Sequence, residues 1–196
     1  MKRIDITEKI SYIEATEEPL SADIGIIKSD GMTWLYDVGS SDECLPELNV
    51  SCNIVLSHFH QDHTGNIDKL NDGEIFASKE TFAHIHKGTV VSQSVHIGNL
   101  HIFPLPSSHA KGCLGLEVDD TYAFVGDALY CKAKNGRYVF NAQVLKDEID
   151  VLKKLRASFL LVSHYKGLIR KKEDVIAELE TIYKMRTANS PEIIVS

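Results

Sequence analysis

The chain has 196 residues, of which 43% are hydrophobic and 25% are charged, and its formal net charge is −7. This composition is typical of a globular protein and excludes collagen-like, coiled-coil and disordered chains. The length suits one domain with a substantial core, so we expect residues 1–196 to form a single domain. The negative charge argues against broad electrostatic binding of nucleic acid.

The amino-terminal residues and the cysteines bear on the compartment. Charged residues interrupt the first part of the chain, which therefore lacks the apolar stretch of a signal peptide. No run approaches the roughly 20 apolar residues that span a bilayer. The cysteines at positions 44, 52, 113 and 131 form no Cys-x-x-Cys pair, which favours free thiols over a zinc ribbon. The sequence therefore predicts a cytoplasmic protein.

The first half of the chain is predicted to form mainly strands. Short segments rich in β-branched residues indicate strands at 10–15, 24–28, 32–38 and 53–56. Asp30 and Gly31 separate the second and third of these segments and predict a hairpin turn. Ser78 is placed to cap a helix that runs to about His86.

In the second half of the chain, strands alternate with helices. Apolar runs predict strands at 100–105, 114–118, 122–125 and 159–162, with a turn at Asp119 and Asp120. Apolar residues at helical spacing predict one helix across 144–155 and another across 173–186. This order of elements indicates sheets with helices packed on their outer faces.

A dense group of potential metal ligands follows the strand predicted at 53–56. From His58 to His63 the sequence has the pattern His-x-His-x-Asp-His, with three imidazoles and one carboxylate. In extended backbone, His58 and His60 lie on one side, while Asp62 and His63 follow where the chain leaves the strand. Imidazole and carboxylate groups together suit zinc, iron or manganese, so the pattern predicts a metal site.

Three further residues of ligand type each come after a predicted strand. His109 follows the strand at 100–105, Asp127 follows that at 122–125, and His164 follows that at 159–162. A sheet presents functional groups where its strands end. We therefore expect these three residues to join the first cluster, whereas the histidines at 84, 86, 96 and 101 match no motif and are expected to be ordinary.

The motifs resemble those of the metallo-β-lactamase-fold hydrolases, and most closely those of the small glyoxalase-II-like members. The resemblance extends from Ile10 to about Lys166 and also includes an Asp-Val-Gly segment that begins at Asp37. It implies an α+β fold, a four-layer αββα sandwich with the metal site at one edge of two sheets.

The resemblance also assigns roles to the ligand-type residues. It implies two divalent metal ions, with zinc preferred over iron or manganese. The expected ligands are His58, His60 and His109 for the first ion and Asp62, His63 and His164 for the second, with Asp127 bridging the two. Asp37 is expected to orient the ligand loop without touching an ion, and Asp62 is also expected to orient the attacking hydroxide.

The implied reaction is hydrolysis of a small thioester, lactone or phosphoester by a hydroxide that bridges the ions. Polar and cationic residues after the ligands are the candidate substrate contacts: Tyr130, Arg137, Tyr138, Tyr165 and Lys166, with Lys132 and Lys134 in the same segment. These side chains predict a small anionic or carboxylate-bearing substrate. Neither a membrane nor nucleic acid is expected as a partner. Cys113, next to the third histidine motif, is expected to be a buried structural thiol.

Other functions stay open at this point. Persulfide dioxygenases share the fold and most of the ligands but use one iron ion, so an oxidoreductase is the main alternative. Nucleic-acid processing of the RNase Z kind is a second alternative, which the acidic charge opposes. β-Lactamases of this fold usually lack a counterpart of His63 and carry cysteine in place of Asp127, and flavodiiron reductases would have Glu in place of His60, so both are disfavoured. A metal-binding protein without activity is the last alternative.

Overall fold

The computed structural model describes residues 2–49, 51–70, 72–188 and 190–195. In chain order, its strands are β1 (Arg3–Asp5), β2 (Ile10–Ile13), β3 (Thr16–Glu17), β4 (Leu20–Ser21), β5 (Ile24–Ser29), β6 (Met32–Tyr36), β7 (Cys52–Val55), β8 (Asp72–Ala77), β9 (Thr89–Val90), β10 (Val95–Ile97), β11 (Leu100–Leu105), β12 (Cys113–Val118), β13 (Tyr122–Gly126), β14 (Lys132–Lys134), β15 (Arg137–Asn141), β16 (Phe159–Val162), β17 (Ile169–Lys171) and β18 (Glu192–Val195). The helices are α1 (Leu45–Leu48), α2 (Gln61–Thr64), α3 (Lys79–Ile85), α4 (Ala142–Lys154) and α5 (Lys172–Lys184).

Two large sheets form the centre of the described structure. The first has the spatial order β1-β2-β5-β6-β7-β8-β9, and the second has the order β10-β11-β12-β13-β16-β17. A small sheet of β14, β15 and β18 lies beside them, and β3 and β4 form a separate hairpin. None of the helices in the described ranges is long and apolar enough to cross a membrane.

Three apolar clusters separate four layers. One cluster lies between the two sheets and joins residues such as Trp34 and Phe76 of the first sheet to Leu116 and Phe124 of the second. A second cluster packs the outer face of the first sheet against α1 and the neighbouring turns. The third cluster packs the second sheet against α4 and α5. Because successive side chains of a strand point to opposite faces, one strand contributes to two clusters. In β6, Leu35 faces outward while Trp34 and Tyr36 face the other sheet.

The four-layer α+β sandwich is the architecture that the motifs predicted. The hairpin turn at Asp30 and Gly31 is confirmed, with both residues at positive φ, and β5 pairs with β6 in register around it. The helix predicted after Ser78 is also confirmed, because the Ser78 hydroxyl accepts a hydrogen bond from the Thr81 backbone N–H at 3.1 Å. The polar segment near Tyr138 forms the β14–β15 hairpin, which the sequence reading did not anticipate.

Parallel pairing places the ligand segments at one edge of the sandwich. In the first sheet, β6 runs parallel to β7, and in the second sheet β13 runs parallel to β16. The chain therefore leaves all four strands on the same side, with Asp37, His58, Asp127 and His164 close behind their ends. This connectivity is what gathers motifs that lie more than a hundred residues apart.

Candidate metal centre

Three imidazoles form the first ligand group. His58 and His60 follow β7, and His109 lies between β11 and β12. The Nε2 atoms of His58 and His109 lie 2.9 and 3.1 Å from Nδ1 of His60. One nitrogen from each residue lies within 4.8 Å of the other two. The structure thus brings together the three residues that the resemblance assigned to one ion.

The first ligand group has the protonation state that a metal ion needs. Burial lowers the pKa of His58, His60 and His109, and for His58 the neighbouring imidazoles lower it further. Nδ1 of His58 pairs with the Ser57 hydroxyl at 2.9 Å, which directs its Nε2 toward the other two rings. The three imidazoles are therefore neutral near neutral pH, with lone pairs available for coordination.

Two carboxylates and two imidazoles form the second ligand group. Asp62, His63, Asp127 and His164 each supply one atom to a set whose members lie within 4.8 Å of one another. Nε2 of His164 lies 3.0 Å from Oδ2 of Asp62, and Nε2 of His63 lies 3.4 Å from Oδ2 of Asp127. The residues predicted for the second ion and the predicted bridge therefore converge.

The carboxylates of the second group attract positive charge. Burial lowers the pKa of His63, but the negative charges of Asp37 and Asp127 and the hydrogen bond with Asp37 outweigh burial and raise the pKa overall. The hydrogen bond with Asp62 raises the pKa of His164. Burial also raises the pKa of Asp62, but the hydrogen bond from His164 outweighs burial, so that pKa is lowered. A proton or a metal ion can supply the charge that this group needs.

Asp37 contacts the central histidine of the second group. It is fully buried, with a positive backbone φ of 61°, directly after β6. Its Oδ1 accepts the backbone N–H of Ser57 at 2.7 Å, and its Oδ2 accepts Nδ1–H of His63 at 2.7 Å. With Nδ1 protonated, the neutral imidazole presents the lone pair of Nε2 to the other ligands. Asp37 thus contacts His63 and the backbone of the segment that carries His58, and its orienting role stays a prediction.

The two sheets approach closely at Ser57, and this approach requires glycine at position 126. Gly126 has a φ of 53°, and a Cβ on it would lie only 2.7 Å from Cβ of Ser57. The Ser57 hydroxyl lies 2.9 Å from Nδ1 of His58 and 3.2 Å from Nδ1 of His63. One hydroxyl thereby contacts a histidine of each ligand group, and Asp127 enters the centre from the residue after Gly126.

Asp23 is a supporting residue that the sequence reading missed. It lies between β4 and β5 and is buried, and its Oδ2 accepts the backbone N–H of His164 at 2.8 Å. Its Oδ1 accepts the backbone N–H of Ala15 at 3.1 Å, and its own N–H donates to the Ser163 hydroxyl. His164 has a positive φ of 58°, so Asp23 holds a ligand whose backbone is in an unfavourable conformation.

Two orphaned atoms indicate that the residues fit a metal ion. Within the described ranges, the buried side-chain atoms without a hydrogen-bond partner are His63 Nε2, Asp127 Oδ1 and the two carboxylate oxygens of Glu148. Buried polar atoms are almost always paired, so an orphaned atom needs an explanation. His63 and Asp127 belong to one ligand group, and a cation between them would satisfy both. Imidazole and carboxylate donors are also the set that zinc and iron accept.

A large cleft adjoins the first ligand group. This main cleft has a volume of about 760 Å³, lies between α3 and the β14–β15 hairpin, and is bordered by His60 and His109. Lys132 and Lys134 extend into its lining from β14. Its size is in the range of small-molecule sites.

The candidate substrate residues occupy several places around the centre. Tyr165 and Lys166 border a second cavity of about 250 Å³ beside His164. Arg137 and Tyr138 lie on β15 and do not border the main cleft. The Tyr130 hydroxyl donates to the Ser163 carbonyl at 2.7 Å, and burial raises its pKa to about 12. Tyr130 therefore braces the segment that carries His164.

Cys113 lies in the apolar cluster under the second sheet. It is buried, and burial raises the pKa of its thiol to about 12. Because the thiolate is the reactive form of cysteine, this environment keeps the side chain unreactive. The expectation of a buried structural thiol agrees with this position.

No protein-family model matches the sequence, and no curated protein sequence matches it. Solved structures do match the fold. The DIM-1 metallo-β-lactamase superposes with a TM-score of 0.71 at 15% identity, covering 93% of this chain and 96% of that one. A metallo-β-lactamase from Hirschia baltica gives 0.67 at 15% identity, with coverage of 93% and 97%. The chemotaxis sensor ODP, in a peroxy diiron form, gives 0.69 at 14% identity, with coverage of 91% and 94%.

These superpositions establish that the chain has the metallo-β-lactamase fold. The prediction made from the motifs is therefore confirmed at the level of the fold. At the edge of its sheets, the chain also carries two ligand groups whose residues could hold metal ions.

Proposed function

We propose that this protein is a hydrolase that holds two divalent ions, preferably zinc, and cleaves a small anionic ester-like substrate. The position of Asp127 carries the proposal. Its Oδ2 lies 3.4 Å from Nε2 of His109 and 3.4 Å from Nε2 of His63, so one carboxylate contacts both ligand groups. An arrangement of two adjacent groups joined by a carboxylate is typical of two-metal hydrolytic sites.

In this proposal the side chains have distinct tasks. His58, His60 and His109 would hold one ion, and Asp62, His63 and His164 would hold the other, with Asp127 between them. Bound divalent ions would activate water and stabilise negative charge on the substrate.

Asp62 is proposed to orient and accept a proton from the attacking water through Oδ1. Its Oδ2 pairs with His164, and its side chain stays 15% exposed. The lowered pKa of Asp62 keeps the carboxylate ionised near neutral pH, as an acceptor must be. Because Asp37 accepts Nδ1–H of His63, Nε2 is the nitrogen that would lose its proton and face a bound ion.

The charges beside the ligands support an anionic substrate. Lys111 and Lys132 border the main cleft, and within the described part of the chain neither forms an ion pair. Unpaired cations beside a site favour a negatively charged ligand. They make this region positive although the chain as a whole has a negative net charge. A thioester is the first substrate to test because the motifs are most similar to those of glyoxalase-II-like proteins.

An iron-dependent oxidoreductase is the second candidate. Two carboxylates stand beside the imidazoles of the second ligand group, and such mixed donors also suit iron. The similarity to ODP, whose structure contains a peroxy diiron species, supports this candidate as well.

Metal analysis combined with a substrate panel separates the two candidates. The protein is purified without chelators, its metals are counted per chain, and it is assayed with thioesters, lactones and phosphodiesters. We expect about two zinc ions per chain and hydrolysis of one class. His63→Ala should lose that hydrolysis, whereas the matched variant His96→Ala, at an exposed histidine outside both ligand groups, should keep it. Iron in the native protein, with oxygen consumption and no hydrolysis, would favour the oxidoreductase instead.

A further inference from the structure

The main cleft extends well beyond the ligands of the first group. Only His60 and His109 connect it to that group, and most of the remaining lining comes from α3, the β14–β15 hairpin and the segment before β12, with Phe59, Val144 and Glu192 completing it. A volume of about 760 Å³ exceeds what a reacting acyl or phosphoryl group occupies. The cleft therefore has room for a second part of a ligand, away from the reacting atoms.

One wall of the cleft is a stack of two rings. The rings of Phe59 and His84 lie 4.2 Å apart between centroids and are tilted by only 13°. Phe59 in turn meets His60 edge to face, at 5.0 Å and 82°. Phe59 covers one face of the His84 ring, and His84 is exposed on α3, so a flat group from solvent can lie against its other face.

The opposite wall carries positive charge. Lys132 and Lys134 enter the lining from β14, and Lys134 is paired with Glu192 of β18. Lys132 is exposed and forms no ion pair within the described ranges. With Lys111 and Glu80 included, the lining contains three lysines and two glutamates, so its charge is positive although the chain is acidic. Lys132, the lysine of β14 without an ion-pair partner, is therefore suited to bind a carboxylate or a similar anion.

We propose that the main cleft binds an anionic ligand with a planar ring, which stacks on His84 while its negative group pairs with Lys132. The ligand class is thus an aromatic carboxylate, and as a substrate it would carry the ester-like bond on a second group while the carboxylate stays free. As a description of the substrate, this inference rests on the hydrolase function proposed above. As a description of binding, it stands on the ring stack and the unpaired lysine alone.

Binding of 2-naphthoate to the metal-loaded protein tests the inference, with the fluorescence of the naphthyl probes as the signal and acetate followed by its displacement of 2-naphthoate. Acetate supplies the charge without the ring, and 2-naphthylmethanol supplies the ring without the charge. The variants are His84→Ala and Lys132→Ala. The matched controls are His96→Ala, which removes an exposed histidine stacked on His101 at 4.2 Å, and Lys154→Ala, which removes an exposed lysine near it.

We expect 2-naphthoate to bind more tightly than either partial probe. His84→Ala should weaken binding of the two naphthyl probes by about 2- to 10-fold and leave acetate unchanged. Lys132→Ala should weaken naphthoate and acetate by up to about 5-fold and leave naphthylmethanol unchanged. Both control variants should bind all three probes as the unmodified protein does. Because the replaced side chains are exposed, melting temperatures should stay the same in all four variants.

Equal naphthoate affinity in the unmodified protein, His84→Ala and Lys132→Ala would overturn the inference, because the probe would then bind elsewhere or only to the metal ions. Naphthylmethanol binding as tightly as naphthoate would also overturn it. The readout needs no turnover, so the two proposals fail separately. If the probes bind as expected but no substrate is hydrolysed, the proposed cleft ligand stands and the proposed hydrolase function is wrong. If hydrolysis is found but neither substitution changes probe binding, only the proposed cleft ligand is wrong.

Discussion

The two ligand groups differ in how they are charged and how they are held. The first consists of three imidazoles, one buried and two half-buried, whose pKa values are lowered, so it carries no charge of its own near neutral pH. The second contains two carboxylates, and residues outside it orient its histidines. The orphaned ligand atoms, His63 Nε2 and Asp127 Oδ1, belong to the second group only.

This difference teaches which parts of the fold each group depends on. His58 and His60 are neighbours in sequence on the segment after β7, so local backbone geometry places them. The second group depends on two long-range supports, Asp37 below His63 and Asp23 below His164. Substitutions at these supports should therefore affect the second group and spare the first, and a shared residue should affect both.

The largest effect is expected at Asp127, which contacts both groups. Asp127→Asn removes the charge between His63 and His109 at nearly constant volume. Partners that only orient a ligand are worth about 10- to 100-fold, so loss of this direct contact should lower kcat/KM for the best substrate by more than about 100-fold. Metal content should fall below that of the unmodified protein. Asp120→Asn, at an exposed turn aspartate, is the control, and an unchanged kcat/KM in Asp127→Asn would contradict the shared role.

A more selective effect is expected at Asp37. In Asp37→Asn, the amide oxygen can still accept the Ser57 N–H, but the amide NH₂ then faces Nδ1 of His63. Nδ1 must accept that hydrogen bond, which moves the proton of a neutral imidazole to Nε2 and blocks coordination. We expect affinity for one metal ion to fall about 10- to 100-fold while the other ion binds normally.

Metal titration of Asp37→Asn by calorimetry separates the two binding events. Asp42→Asn, an exposed aspartate paired with Lys69, is the control. If both ions were lost together, the two groups would not be independent, and the comparison between them would be wrong.

Asp23 should produce a smaller effect of the same kind. Asp23→Asn retains an oxygen for the Ala15 N–H but places NH₂ against the backbone N–H of His164, so one hydrogen bond is lost. Because His164 is held in a conformation that non-glycine residues avoid, its segment should shift, and we expect affinity for the second ion to fall about tenfold. The control is Glu14→Gln, which changes an exposed carboxylate beside the second cavity, next to His164. It should leave the affinity for both ions unchanged. Unchanged titration curves for Asp23→Asn would exclude the support.

Most members of the two ligand groups could be predicted from the sequence. The spacing of His58, His60 and His63 predicts ligands directly, and His109, Asp127 and His164 follow apolar runs that are easily recognised as strands. The layers could also be predicted, since the elements alternate as a sandwich requires. These features depend on residues that are close together or on patterns that repeat.

The residues that were missed act through contacts that only the fold creates. Asp23 binds the backbone of a residue 141 positions later, and its own neighbours in sequence suggest nothing of this role. His84 lies in the main cleft because α3 packs against β8 and β9 and brings its ring onto Phe59, although it matches no motif. The β14–β15 hairpin did have a signal, the Asn135-Gly136 pair with positive φ at both residues, but its exposed lysines concealed the strands around it.

The smallest effect on the two ligand groups is expected at Glu148, which belongs to neither. This residue lies on α4, is fully buried, and has no hydrogen-bond partner for either carboxylate oxygen. Burial raises its pKa well above the ordinary value for glutamate. Glu148→Leu should therefore stabilise the fold by about 1 to 3 kcal/mol at neutral pH without changing metal titration.

The pH dependence of that gain follows from proton binding. Above the ordinary glutamate pKa, the unfolded chain releases the proton while the folded chain retains it, so raising the pH favours unfolding until the raised folded pKa is passed. The gain from Glu148→Leu should thus be larger at pH 8 than at pH 4.5, measured by urea unfolding of the metal-loaded protein. Asp147→Leu, at an exposed neighbour on α4, should change stability by less than about 0.5 kcal/mol. If Glu148→Leu instead destabilised the fold, the carboxyl group would have a stabilising partner. If it changed metal affinity, α4 and the two ligand groups would not be independent.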